Sequence, residues 1–181
     1  MTKKYNQCKI ICNNFFIMNN KQIIIYTDGS SLGNPGKGGW AAILSTEGKT
    51  KEISGGFRMT TNNRMELMAV IQALSALKTR CNNVTIFTDS QLITNAINEG
   101  WLKSWINKNW RKADKKPVIN ADLWKQLIPL MDKHNVKFIW IAGHNGVYGN
   151  ERCDILCKNA AENATNVDFG YENSQITDTL L

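Results

Sequence analysis

Long apolar runs are missing from this 181-residue sequence, and with them any helix able to cross a bilayer. Near the start, Lys3 and Lys4 precede "IICNNFFIM". Asn13 and Asn14 split that run and no small-residue cleavage site follows, so the form of a secretory signal is lacking. Histidine is scarce: only His134 and His144 occur. Neither stands beside the pairs Cys8/Cys12 and Cys153/Cys157, which removes the usual zinc-ligand pattern and leaves those cysteines as ordinary thiols. Five cysteines, an odd number without framework spacing, argue against a disulfide scaffold and for a reducing compartment, here the cytoplasm. Acids are outnumbered, 15 against 22 Lys and Arg. The resulting net charge of +7 suits a polyanionic partner without requiring one.

No repeat and no linker divides the chain, and its length can bury one core. Periodic pattern begins only at Ile23. Residues 1–20 are therefore read as a dispensable N-terminal extension with Met18 as an alternative start, 21–165 as the domain, and 166–181 as a polar tail expected to fray. Buried strand patterns occur at Ile23–Tyr26, Val84–Ser90 and "VKFIWIAG", and shorter antiparallel ones at Trp40–Ser45 and Lys51–Phe57. Helical spacing marks "NNRMELMAVIQALSALK", "QLITNAINEG" and "NERCDILCKNAAENA", and also "NADLWKQLIPLMDKH", where Pro129 threatens the middle. The order implies one mixed α/β sheet with helices on its faces.

The stretch "IIIYTDGSSLGNPGKGGW" resembles a phosphate loop at first sight. A Walker motif fails twice, because Ser31 and Gly38 stand where Gly and Ser or Thr are needed. A dinucleotide fingerprint fails too, since "WAAILS" reads as a strand where a helix should open. The glycines suit a wide hairpin, and Asp28 is left at a strand end.

Four acids have ordinary roles if taken singly. Asp28 reads as a turn residue in an Asp-Gly pair. Asp89 reads as a helix N-cap. Glu66 follows Asn63 at capping-box spacing, and Asp154 reads as a solvated acid on a first helical turn. Together, two strand-end aspartates and two acids near helix starts can collect at one edge of the sheet. Such a cluster would raise its own pKa values unless divalent cations neutralised it, and oxygen donors favour Mg²⁺ or Mn²⁺.

The motifs "YTDGSSLGNPGKGGWAAIL", "TTNNRMELMAVIQAL", "FTDSQ", "ADKKPVINADLW" and "GHNGVYGNERCD" together resemble bacterial-type ribonuclease HI, in order, from about Ile23 to Ala164. The resemblance implies a ribonuclease H-like five-stranded sheet, three antiparallel strands followed by parallel ones, with helices on both faces. It implies an endoribonuclease that hydrolyses the RNA strand of RNA–DNA hybrids with two Mg²⁺ ions, for which Mn²⁺ can substitute, leaving 5′-phosphate and 3′-hydroxyl ends. Asp28, Glu66, Asp89 and Asp154 match the metal-binding carboxylates. Asp28 would bridge both ions, with Glu66 and Asp89 on the nucleophile side and Asp154 on the other. His144 matches a loop histidine tied to proton transfer and product release; His134, at a helix end, reads as a cap.

The resemblance also implies substrate contacts. Lys103, Lys108, Arg111, Lys112, Lys115 and Lys116 oppose only Asp114, with Trp101, Trp105 and Trp110 interleaved, where the family has a basic protrusion. The tryptophans can equally pack that protrusion. Asn34, Asn62 and Gln91, with backbone amides near Gly29, match residues placed at the 2′-hydroxyls. Thr61 matches the DNA-phosphate pocket. There the chain departs from the common pattern: Arg58 and Met59 place the arginine one residue early, which changes its face in an extended segment. The expected partner is a hybrid duplex met by a monomer away from membranes. A non-catalytic hybrid-binding module and a related nuclease acting on DNA remain the alternatives.

Overall fold

The computed structural model of the protein describes residues 21–179, with side chains described to residue 175. The proposed extension, Met18, Cys8 and Cys12 lie outside the described residues. Five strands form one sheet: β1 (Ile23–Leu32), β2 (Gly36–Thr46), β3 (Lys49–Thr60), β4 (Val84–Thr88) and β5 (Val136–Trp140). Their spatial order is β3-β2-β1-β4-β5. The first three are antiparallel to their neighbours, whereas β4 runs parallel to both β1 and β5. The expected mixed architecture is therefore present.

Two hairpins are tighter than the sequence suggested. β2 and β3 extend to a two-residue turn, Glu47 and Gly48, both at positive φ (45° and 75°) as a hairpin with right-handed twist requires. The β1–β2 connection is not a wide loop, because pairing runs to Leu32 and Lys37 and leaves only residues 33–35 outside.

Strand alternation divides the core between two faces. On one face Ile23, Ile25, Ala42 and Leu44 pack against helix α1 (Asn62–Ser75). On the other, Ala41 and Ile43 meet Cys153 and Cys157 of helix α5 (Tyr148–Glu162), beside Tyr26. α1 is buried almost all round, from Arg64 to Leu74, since helix α4 (Ala121–Lys133) covers its outer side. Pro129 lies inside α4 without ending it; the residue faces solvent, where water can satisfy the carbonyl that loses its amide partner. Helices α2 (Gln91–Asn98) and α3 (Trp101–Asn107) follow β4.

The tail does not fray where expected. Asn166 accepts the Arg58 amide at 2.8 Å, and helix α6 (Phe169–Thr179) follows. Asp168 is only 4% exposed and accepts hydrogen bonds from Thr60 Oγ1 (2.7 Å) and from Arg64 Nε and Nη2 (2.7 and 2.8 Å). Arg64 also reaches Asp122 on α4. This guanidinium is 3% exposed and paired with both carboxylates, so it ties α1, α4 and the tail together. His134 stands at the C-cap of α4, as expected, its amide donating to the Met131 carbonyl at 3.1 Å; its Nδ1 also accepts the Cys81 amide at 3.1 Å, joining the loop before β4 to the end of α4.

Candidate metal centre and nucleic-acid interface

Asp28 sits on β1, the central strand, and is 6% exposed. Its neighbour Gly29 points to the opposite face. A Cβ there would overlap the α1 backbone at Met65 and Glu66, so the missing side chain lets α1 settle onto the strand. That close approach delivers Glu66. Gly39 on β2 does the same for α5, whose backbone at Cys157 and Ala161 occupies the space a Cβ would need. Asp89 follows the last residue of β4, the parallel neighbour of β1.

Ligand atoms of Asp28, Glu66 and Asp89 lie within 4.8 Å of one another. A second group, Asp28, Asp154 and Cys157, meets the same limit and shares Asp28. The four sequence-selected acids are thus brought to one place. None fills its ordinary role. Asp28 lies within a strand, and the N-cap of α2 is Ser90. α1 is capped at Thr61 without a side-chain bond, and Glu66 is buried. Asp154 stands in the second turn of α5, not the first, with Lys158 Nζ at 2.7 Å.

Crowding sets the electrostatics. Burial, then the charge of Asp89, with Asp154 adding to it, raises the Asp28 carboxyl to about 7, even though Asp28 Oδ1 accepts the Gly29 amide at 2.7 Å. Burial, then Asp28 and Asp89, pushes Glu66 well above the carboxylate range. Glu66 Oε2 and Asp89 Oδ1 are buried and have no hydrogen-bond partner. Orphaned acceptors inside a ring of oxygens are what a hard divalent cation would satisfy, so these residues fit such an ion.

Asn150, missed by sequence reasoning, donates from Nδ2 to Asp89 Oδ2 at 3.3 Å and is 2% exposed. It is four residues before Asp154 on one helix, a spacing that could have pointed to it. His144 lies exposed on the loop between β5 and α5, at φ 54°, outside both carboxylate groups.

The remaining candidates are spread along the adjoining surface. Asn34 Oδ1 accepts the Asn62 amide at 3.2 Å, next to the Thr61 cap. Gln91 is exposed at the start of α2. Trp105 packs edge-on against buried Trp124, and Lys125 stacks over Trp110, so these two rings build the protrusion. Trp101 stays 37% exposed and lines a groove of about 400 Å³ with Trp105, Lys112 and Asn63. Arg111 donates to the Lys115 carbonyl, while Lys103, Lys108, Lys115 and Lys116 face outward. Arg58 is turned away from Thr61 and pairs with Glu172 of α6 at 2.7 and 3.1 Å. Met59, on the Thr61 parity, is 43% exposed.

The RNase H family model matches residues 20–162. The chain belongs to the RNase H family. Ribonuclease H of Nitratidesulfovibrio vulgaris strain DP4 is 55% identical over 141 residues, covering 78% of this chain and 90% of that protein. Ribonuclease H of Proteus mirabilis strain HI4320 is 52% identical over 155 residues, covering 86% and 96%. These bacterial relatives place the RNase H chain with ribonuclease HI, as its motifs implied. Among solved structures, LC9-RNase H1 superposes with a TM-score of 0.73 at 29% identity, covering 86% of this chain and 81% of that one. LC11-RNase H1, solved in complex with an RNA/DNA hybrid, superposes at 0.61 and 28% identity, covering 78% and 97%. Among the described residues, no helix of this RNase H is long and apolar enough to cross a membrane.

Proposed function

We propose that this chain is a metal-dependent endoribonuclease that hydrolyses the RNA strand of RNA–DNA hybrids, leaving 5′-phosphate and 3′-hydroxyl ends. The observation that carries this reading is the convergence of Asp28, Glu66 and Asp89 within 4.8 Å, with buried oxygens left unpartnered, in a chain of the RNase H family. Asp28 is the shared residue of the two donor groups, and so the one suited to bridge two Mg²⁺ ions, or Mn²⁺ in their place. Glu66 and Asp89 would help to hold the ion on the nucleophile side, and Asp154 the other. When bound, such a pair of ions supplies an activated water and charge compensation for the leaving oxygen.

The chain's own residues do the positioning. Asn150 orients Asp89 through its amide. His144, exposed on its loop, moves a proton between the centre and solvent and assists product departure. Asn34, Asn62, Gln91 and the Gly29 backbone read 2′-hydroxyls, while Thr61 receives a phosphate of the DNA strand. Trp101 offers a ring to the DNA strand in its groove. Lys103, Lys108, Arg111, Lys112, Lys115 and Lys116 of the protrusion neutralise phosphates. Residues 21–165 with the docked tail form the catalytic unit, with 1–20 dispensable. The free thiols Cys81, Cys153 and Cys157 support a reducing, cytoplasmic setting for a monomer.

The test is cleavage of end-labelled hybrid, duplex RNA and duplex DNA with Mg²⁺ and Mn²⁺ in parallel. Only the hybrid should be cut, in its RNA strand. Asp28→Asn should bind hybrid and leave it intact. An untouched hybrid with the parent protein would sink the reading, and equal cutting of duplex DNA would move it to a DNA nuclease.

A further inference from the structure

Thr61, Asn62 and Asn63 reach the surface where β3 hands the chain to α1, while the residues on either side of them, Thr60 and Arg64, are buried. Both flanking side chains turn to one atom. Asp168 Oδ2 accepts Thr60 Oγ1 at 2.7 Å and Arg64 Nε at 2.7 Å, and so ties the two ends of the turn together. Asp168 Oδ1 accepts Arg64 Nη2 at 2.8 Å and the Tyr171 amide at 3.2 Å, which seats the carboxylate at the start of α6. The turn has no side-chain cap of its own at Thr61. Its Asn62 amide donates to Asn34 Oδ1 at 3.2 Å, and the Arg64 and Met65 amides donate to the Thr61 carbonyl at 3.1 and 3.2 Å.

Charge balance at Arg64 does not require this geometry. Asp122 already accepts Arg64 Nη1 and Nη2 at 3.0 and 2.8 Å from α4. What Asp168 adds is the bond to Thr60, which is fully buried and pairs with Gly36 at the head of β2. Gly36 lies two residues after Asn34, whose side chain holds the Asn62 amide, so both strands that present the turn meet at Thr60. Glu66 is seated separately, by the packing of α1 on Gly29.

We propose that Asp168, reaching in from the tail, is a positioning residue for nucleic-acid binding: through Thr60 and Arg64 it fixes the Thr61–Asn63 turn in the shape that meets the hybrid. This rests on the reading above of Thr61 and Asn62 as hybrid contacts. Asp168 is buried and acts through its two neighbours rather than on the substrate. A turn held in place before the duplex arrives loses less conformational freedom on binding, so the clamp lowers KM. Turnover depends on the carboxylates, which are seated by other contacts, and is left alone.

The experiment compares Thr60→Val, Thr60→Ser, Asp168→Asn and Asp122→Asn in the full chain, each checked by circular dichroism to be folded at the assay temperature. Thr60→Val removes the hydroxyl and leaves both ion pairs of Arg64 in place, so it carries the test should Asp168→Asn unfold. Steady-state cleavage of hybrid with Mg²⁺ should show KM raised about threefold to tenfold in Thr60→Val, what one net hydrogen bond is worth, with kcat unchanged. Asp168→Asn should move KM at least as far. Thr60→Ser should restore the parent value, and Asp122→Asn should leave it alone. Hydrogen exchange of the Asn62, Arg64 and Met65 amides in the free protein should quicken in Thr60→Val and return to the parent rate in Thr60→Ser. Parent KM and parent exchange in Thr60→Val would overturn the proposal, as would an equal rise in KM from Asp122→Asn or a fall in kcat with KM unmoved. If the parent protein leaves hybrid uncut, the activity reading fails, and exchange at the three amides decides whether Asp168 holds the turn.

Discussion

Asp28→Asn should stabilise the metal-free protein at neutral and alkaline pH. Folding raises the Asp28 carboxyl from 3.8 to about 7, chiefly by burial and then by the charge of Asp89. That gap spans roughly three decades of proton affinity, each ~1.4 kcal/mol, for a ceiling of ~4 kcal/mol. The sign follows from proton counts. Below about pH 4 the group is protonated in both states and costs nothing. Between about pH 4 and 7 the folded chain keeps a proton that the unfolded chain has lost, so stability falls as pH rises. Above about pH 7 the full penalty is present. Asparagine removes the ionisation and can still accept the Gly29 amide through its oxygen. Relief shared with Glu66 makes the measured gain a property of the pair, so ~2–4 kcal/mol is expected at pH 8 and close to none near pH 4. Urea unfolding of parent and variant in EDTA at both pH values measures it. The reasoning is refuted if the variant is no more stable at pH 8, or if its gain is the same at pH 4. Added Mg²⁺ should stabilise the parent more than the variant, because only the parent retains the shared carboxylate.

Met59→Arg should tighten hybrid binding and steepen its dependence on salt by about 0.9 in log–log slope, one added phosphate contact, whereas Arg58→Ala should leave that slope unchanged; the reverse outcome would contradict the facing of these residues. Asp168→Asn should cost ~3 kcal/mol in urea unfolding, since it leaves the buried Arg64 guanidinium partly uncompensated; a loss below ~1 kcal/mol would show that Asp122 suffices. His144→Ala should cut turnover about 10²-fold or more while hybrid affinity holds, as fits a proton carrier on an exposed loop; an affinity loss with normal turnover would make it a binding residue.

Much of the fold was legible because strand and helix periods are local properties. Ile23–Tyr26, Val84–Thr88 and the α1 pattern announced themselves through apolar spacing, and each occupies the element its pattern implied. The limits were misjudged where closure depends on a partner strand: the β2–β3 turn shrank to two residues once pairing extended it, and the β1–β2 loop to three. Pro129 looked like a breaker, because the sequence does not say that the residue faces water. The polar tail looked unstructured, because nothing local reveals that Asp168 meets a buried arginine a hundred residues upstream.

The identity of the four acids and their motif order are written in the chain as residue types and spacing. Their meeting is a matter of packing. Gly29 and Gly39 let two helices close on opposite faces of one sheet, and that approach sets Glu66, Asp154 and Cys157 around Asp28. The same packing excludes water, which is why the Asp28 carboxyl rises to about 7. Charge and type are properties of a residue; burial and proximity belong to the fold.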